Sequence, residues 1–168
     1  MRRTRHATPL LPLALLLALL CAAPAAAQRR PQPAPRTREV KVYLVALEDG
    51  GKAGRKIGCG DSLVPVTRTV AAAGAPLKAA LEELLASPRE SGGSPDLRNF
   101  WRGDDLRLRS VSLRRGTATI RLAGRVPVAG VCDAPRIEAQ ITETARQFPA
   151  VRKVRVFVGE RTLSEAIR

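Results

Sequence analysis

At 168 residues the chain has room for one domain of ordinary size, and its formal charge of +14 makes it strongly basic. Aromatic residues make up 3% of it, so a core has to come from Val, Leu, Ile and Ala; that suits a small sheet covered by helices and needs no cofactor to fold. The single histidine, His6, lies in the leading segment, which excludes imidazole chemistry from any chain processed beyond it.

The leader reads as a targeting signal. Arg2, Arg3 and Arg5 form a basic start, Leu10 to Leu20 an apolar run broken once by Pro12, and Ala25-Ala26-Ala27 a small-residue cleavage site. The run is shorter than the roughly 20 residues of a spanning helix. A signal peptide of residues 1–27, cleaved after Ala27, implies a periplasmic or secreted protein. Leu20, rather than a small residue, precedes Cys21, which argues against a lipoprotein. Cleavage removes three arginines and no acid, taking +14 to +11. Residues 28–38, QRRPQPAPRTR, have almost nothing apolar and read as a disordered basic tether. Its four arginines leave a domain from 39 to 168 with a charge of +7.

Val40 to Leu47 is expected as a strand, apolar on both alternations and therefore central. A Gly- and Lys-rich loop follows over residues 48–61. Leu63 to Val70 is a second strand, in which Pro65 signals an edge or a bulge. Pro76 opens a helix whose Leu77, Ala80, Leu81, Leu84 and Leu85 form one apolar stripe. Residues 87–105 are a long connection held down by Leu97, Phe100 and Trp101. Leu106 to Arg114 and Thr117 to Gly124 form a hairpin about Arg115-Gly116, with Leu113 facing Ala118 and Val111 facing Ile120. The phase of Leu106 and Leu108 then calls for a bulge near Arg109-Ser110. Asp133 is expected to cap a second helix, with Ile137, Gln140, Ile141, Thr144, Ala145 and Phe148 along one face. Val154, Val156 and Val158 mark the last strand. The class is α+β, a small mixed or antiparallel sheet with two helices on one face, in the order ββ-α-ββ-α-β.

Export would also remove Cys21, leaving Cys59 and Cys132. An even pair in an oxidising compartment reads as a disulfide, which would contribute about 4 kcal/mol in the chain-entropy model. Two separate buried thiols are the other reading; a metal site would need further ligands, and histidine is not among them. The Gly50-Gly51-Lys52 and Gly54-Arg55-Lys56 stretch lacks the ending of a phosphate loop, so no nucleotide is expected. Nor is nucleic acid, because the aromatics do not alternate with cations along a strand. Cofactors and metals are read as none. The positive charge by itself favours contact with anionic lipid heads or an acidic envelope polymer.

The stretch Ile57-Gly-Cys-Gly-Asp-Ser-Leu-Val-Pro-Val-Thr-Arg68 resembles the first signature of GerMN (spore-germination GerM-type) domains. The helix from Pro76 to Leu85, the hairpin about Gly116 and Gly130-Val-Cys-Asp-Ala-Pro-Arg136 follow in the family's order. Ala139-Gln140-Ile141, Thr144 and Gln147-Phe-Pro-Ala-Val151 come next, so that the resemblance covers residues 40–160.

The resemblance implies a non-catalytic module of the cell envelope, with a fold similar to ring-building modules that associate side by side. Its partners would be a second copy or other envelope proteins. It also implies that a Cys59–Cys132 bond staples the loop after the first strand to the start of the second helix. Gln140 and Thr144 would be hydrogen-bonded inside the fold. Asp61, Arg68 and Arg136 would cluster near the disulfide, as an ion pair or as a candidate partner contact. Two rival functions are a monomeric binder of an anionic envelope polymer such as peptidoglycan, and a secreted hydrolase of unfamiliar type.

Overall fold

The computed structural model describes residues 36–90, 97–102 and 105–168. The signal peptide, its cleavage after Ala27, Cys21 and most of the expected tether lie outside them. The folded chain starts earlier than the apolar alternation suggests. Strand β1 spans Thr37–Ala46 and pairs along its whole length with β3, Ser62–Ala71. The backbone carbonyl of Arg36 already accepts a hydrogen bond from Ala72 at 2.8 Å. Arg36 and Arg38 therefore belong to the ladder, because β3 is long enough to pair with them. Only the earlier part of 28–38 is left for a tether.

Between these strands lie β2, Arg55–Lys56, and a short 3-10 turn over Gly58–Gly60. Helix α1, Pro76–Ala86, begins on the proline and buries Leu77, Ala80, Leu81 and Leu84. Each leucine so buried contributes about 2 kcal/mol of transfer free energy. The backbone N–H of Ser87 and its hydroxyl both bond the Glu83 carbonyl, and Pro88 prevents a further turn. Strand β4, Leu97–Arg98, adds two residues to the free side of β1. Trp101 is completely buried and donates its indole N–H to the Ile137 carbonyl at 2.7 Å.

Strands β5, Arg107–Arg114, and β6, Thr117–Ala123, form the expected hairpin. Leu113 pairs with Ala118 and Val111 with Ile120, and the register shifts between Leu108 and Ser110, so Arg109 is the bulged residue. Arg115 and Gly116 have φ of 49° and 78°, the two positive values that a tight two-residue turn requires. Helix α2, Asp133–Arg146, carries the chain across to β7, Lys153–Val158, which runs parallel to β6. A final β8, Arg161–Thr162, and helix α3, Leu163–Ala166, close the fold.

The expected single sheet is corrected to two. One has the order β2-β3-β1-β4 and is antiparallel; the other has the order β5-β6-β7-β8 and is mixed. They stay separate because β5 pairs only with β6, while most of the free side of β1 is occupied by side chains of α2. Both main helices pack on β1; α1 also meets β5, and α2 meets β7. One apolar cluster runs through both sheets, from Val42 and Leu44 through Leu81, Leu84 and Ile141 to Ile120 and Val158.

Candidate functional site

The signature residues meet where the loop after β1 reaches the start of α2. Cys59 and Cys132 are joined by a disulfide with their Cα atoms 5.9 Å apart. Cys59 sits at φ 62° within the Gly58–Gly60 turn. Gly58 leaves room there for Pro135, whose ring would lie 3.3 Å from a Cβ at that position. Two residues on, Asp61 is completely buried. Its carboxylate accepts from the Glu48 backbone N–H at 2.9 Å and from Arg136 Nε at 2.6 Å. Arg136 also reaches Asp133 at 3.4 Å and lies over the Phe100 ring, 5.0 Å from its centre. The bond to Asp61 raises the Arg136 pKa above its already high ordinary value, despite the opposing effect of burial.

Two expectations are corrected here. Arg68 does not join this cluster. It lies six residues along β3 from Ser62, roughly 20 Å at strand rise, and pairs with Glu83 at 3.7 Å. Asp133 does not cap α2. The helix starts one residue earlier than expected, so Asp133 is its first residue. Its carboxylate turns back to accept from the Ala129 and Gly130 backbone N–H groups at 2.8 and 3.2 Å. It still places an acid in the first turn, where the helix dipole favours one.

A second polar group covers the side of β1 that β4 leaves open. Gln140 donates to the Tyr43 carbonyl and accepts from the Phe100 N–H, both at 2.8 Å. Thr144 Oγ1 accepts from the Tyr43 N–H at 3.2 Å. Gln147 exchanges both of its amide bonds with the Lys41 backbone, at 2.8 and 2.6 Å. Gln140 and Thr144 of α2, with Gln147 just past its end, thus take the place of a neighbouring strand and protect an edge that would otherwise expose its backbone. Gln140 and Thr144 are completely buried, whereas the Gln147–Lys41 end of this ladder is exposed.

Sequence reasoning missed four polar residues. Asp49 accepts from Gly51 at 3.1 Å, Ala53 at 2.6 Å and the Ser62 hydroxyl, and these bonds hold its carboxyl below the usual range. Asp-Gly-Gly is a recognisable turn signal for it. Buried Asn99 ties the end of α1 by donating to the Leu84 and Ser87 carbonyls at 2.9 Å, and nothing local marks it. Thr162 and Glu165 form a capping box on α3, and their spacing was a readable signal.

Among the described residues, no buried side-chain nitrogen or oxygen lacks a partner. No group of three His, Cys, Asp or Glu side chains there could hold a metal ion. Asn99, Phe100 and Arg136 border an open hollow with Leu85 and Pro127, where Arg98 is paired with Glu90 and Arg136 with Asp133.

A family model described as Germane, sporulation and spore germination, matches residues 41–164. The tandem GerMN domains of the sporulation protein GerM from Bacillus subtilis superpose with a TM-score of 0.55 at 20% identity, over 81% of this chain and 43% of that one. The first GerMN domain of the same protein gives a TM-score of 0.50 at 20% identity, over 77% of this chain and 88% of that one. The chain thus spans less than half of the tandem structure and corresponds to one of its domains. No curated protein matches at a significant level.

Proposed function

Because the chain belongs to the Germane family of sporulation and spore germination, we propose that it is a non-catalytic assembly or adaptor module of the cell envelope, working outside the cytoplasm. The polar residues gathered at the disulfide and along α2 are all engaged in holding the fold. That supports a role in which surface, rather than chemistry, is the product.

The observation that carries the reading is the outer edge of β3. Beyond Leu63, which pairs with Arg55, this edge has no strand partner among the described residues. The bonds that Lys41 and Tyr43 make to α2 fix the direction of the ladder. Both residues point their backbone groups away from β3, so their partners Thr67 and Pro65 point theirs outward too. Pro65 removes one donor from the open edge, whereas Thr67, Thr69 and Ala71 keep theirs. A second copy, or a strand from another envelope protein, can add there by main-chain pairing.

The test is light scattering on the purified oxidised chain from residue 28 onward, over a range of concentration. Wild-type mass should climb with concentration. Thr69→Pro removes an outward N–H without touching the β1 bonds and should hold the chain monomeric with unchanged circular dichroism. A strict monomer in both forms, or association that ignores Thr69→Pro, would remove self-assembly from the account.

A further inference from the structure

The second sheet has an outward face that the assembly reading does not use. Register places Ala118, Ile120 and Leu122 of β6 on the core side, so the residues alternating with them face out, as do their neighbours on β5 and β7. Those outward positions carry Arg107 and Arg114 on β5, Arg121 on β6, and Lys153 and Arg155 on β7. All five are exposed. The outward positions of these strands hold no Asp or Glu, and none of the five cations pairs with a carboxylate among the described residues. Between them stand the hydroxyls of Ser110, Ser112, Thr117 and Thr119.

Five like charges on a field of about 20 Å by about 10 Å repel one another, and no carboxylate on that face offsets the repulsion. Guanidinium groups separated by hydroxyl donors are, however, a good match for phosphate or carboxylate oxygens. We propose that this face is a docking surface for a flexible linear polyanion, an envelope polymer bearing repeated phosphate or carboxylate groups.

The shape of the face separates this partner from two others. A lipid surface is flat, but adjacent strands rotate by about 20–25°, so the three strands that carry the cations turn through roughly 45° and present only part of the face at once. The face also lacks an apolar group to insert. Its one aromatic ring, Phe157, is already covered by Arg121 at 4.7 Å and Arg155 at 5.6 Å. The same cover denies stacking to the bases of a single-stranded nucleic acid. A flexible chain can follow the twist and needs neither feature.

The experiment titrates the purified protein with linear polyphosphate at several salt concentrations. Three forms are compared: wild type, R107S/R121S/R155S on the face, and R89S/R102S/R125S elsewhere on the exposed surface. Both variants lose three charges, and circular dichroism checks that each is folded. Counterion release by five contacts gives a log–log salt slope of about −3.5, falling to about −1.4 for the face variant with about tenfold or greater loss of affinity. The second variant should stay close to wild type. Equal losses in both variants would reduce the effect to net charge and overturn the proposal. So would tighter binding to phosphatidylglycerol vesicles, or to a single-stranded oligonucleotide of equal charge, than to polyphosphate. Neither variant touches the β3 edge, so this result is independent of the light-scattering test.

Discussion

Replacing Arg136 with Met removes a guanidinium from the most buried charge in the fold while keeping an unbranched stem of similar reach. Asp61 is completely shielded from solvent and would keep only the Glu48 N–H, at 2.9 Å, as partner. Breaking a buried pair by deleting one member costs about 3–5 kcal/mol. The Arg136 side chain retains 14% exposure, so water can enter as it leaves, and the lower end applies. Loss of the guanidinium over Phe100 removes a further contact, but the Met sulfur can pack on the same ring and offset most of it. The expected cost is about 3 kcal/mol. With a urea slope of about 1.5 kcal/mol/M, the midpoint should fall by about 2 M under non-reducing conditions. Asp61→Asn in the same background removes the stranded charge while its amide carbonyl still accepts from Glu48. The double variant should therefore be less destabilised than the two single costs added together, by about 2 kcal/mol. A loss under about 1 kcal/mol for Arg136→Met, or strict additivity, would refute the view that this pair holds the loop to the helix.

Two further outcomes test the same region. The disulfide joins residues 73 apart, so C59S/C132S should lose about 4 kcal/mol and lower Tm by about 15 °C in calorimetry, and an unchanged Tm would show that the α2 ladder alone fixes the loop. Tyr43 is the only tyrosine, so phenolate absorbance reports it alone. Burial raises its pKa, Glu143 adds to that and Arg55 opposes it. The folded state therefore holds the phenolic proton more tightly than the unfolded one. That contribution is complete below pH of about 10 and is lost as pH rises through the folded midpoint. Glu143→Gln should lower this midpoint and Arg55→Gln should raise it; a shift of opposite sign in either variant would contradict the assigned causes.

The parts of the fold that were legible in the sequence are those whose signal is local. The stripe of α1, the Arg115-Gly116 turn, the hairpin register and the bulge at Arg109 each follow from residues within a few positions of one another. The apolar phase of β5 changes between Leu108 and Val111, and a bulge is the only way to keep both on the core side. The Cys59–Cys132 staple was legible for another reason, since Cys59 and Cys132 are the two cysteines outside the leader and admit one intramolecular pairing. The division into two sheets was not legible. Strand count and alternation say which residues turn inward but not which edges remain unpaired.

What decides that division is α2, and its decisive residues look ordinary in sequence. Gln140 and Thr144 read as inward-facing residues hydrogen-bonded inside the fold, and they are, yet their partner Tyr43, like the Lys41 partner of Gln147, lies about a hundred positions earlier and is not marked in the sequence. The same distance hid the fate of Arg68. Its neighbours in sequence place it after the Asp61 motif, whereas an extended strand carries it out of reach and leaves it beside Glu83 on α1. Asp133 shows the opposite error. Its residue type suits a cap, but a one-residue shift in helix start turned its carboxylate toward the loop it follows. In each case the residue chemistry was readable and the geometry that assigns its partner was not. That is why the candidate surfaces, the β3 edge and the outward basic face, emerge only once register is known: both are defined by which backbone groups or side chains point away from a ladder.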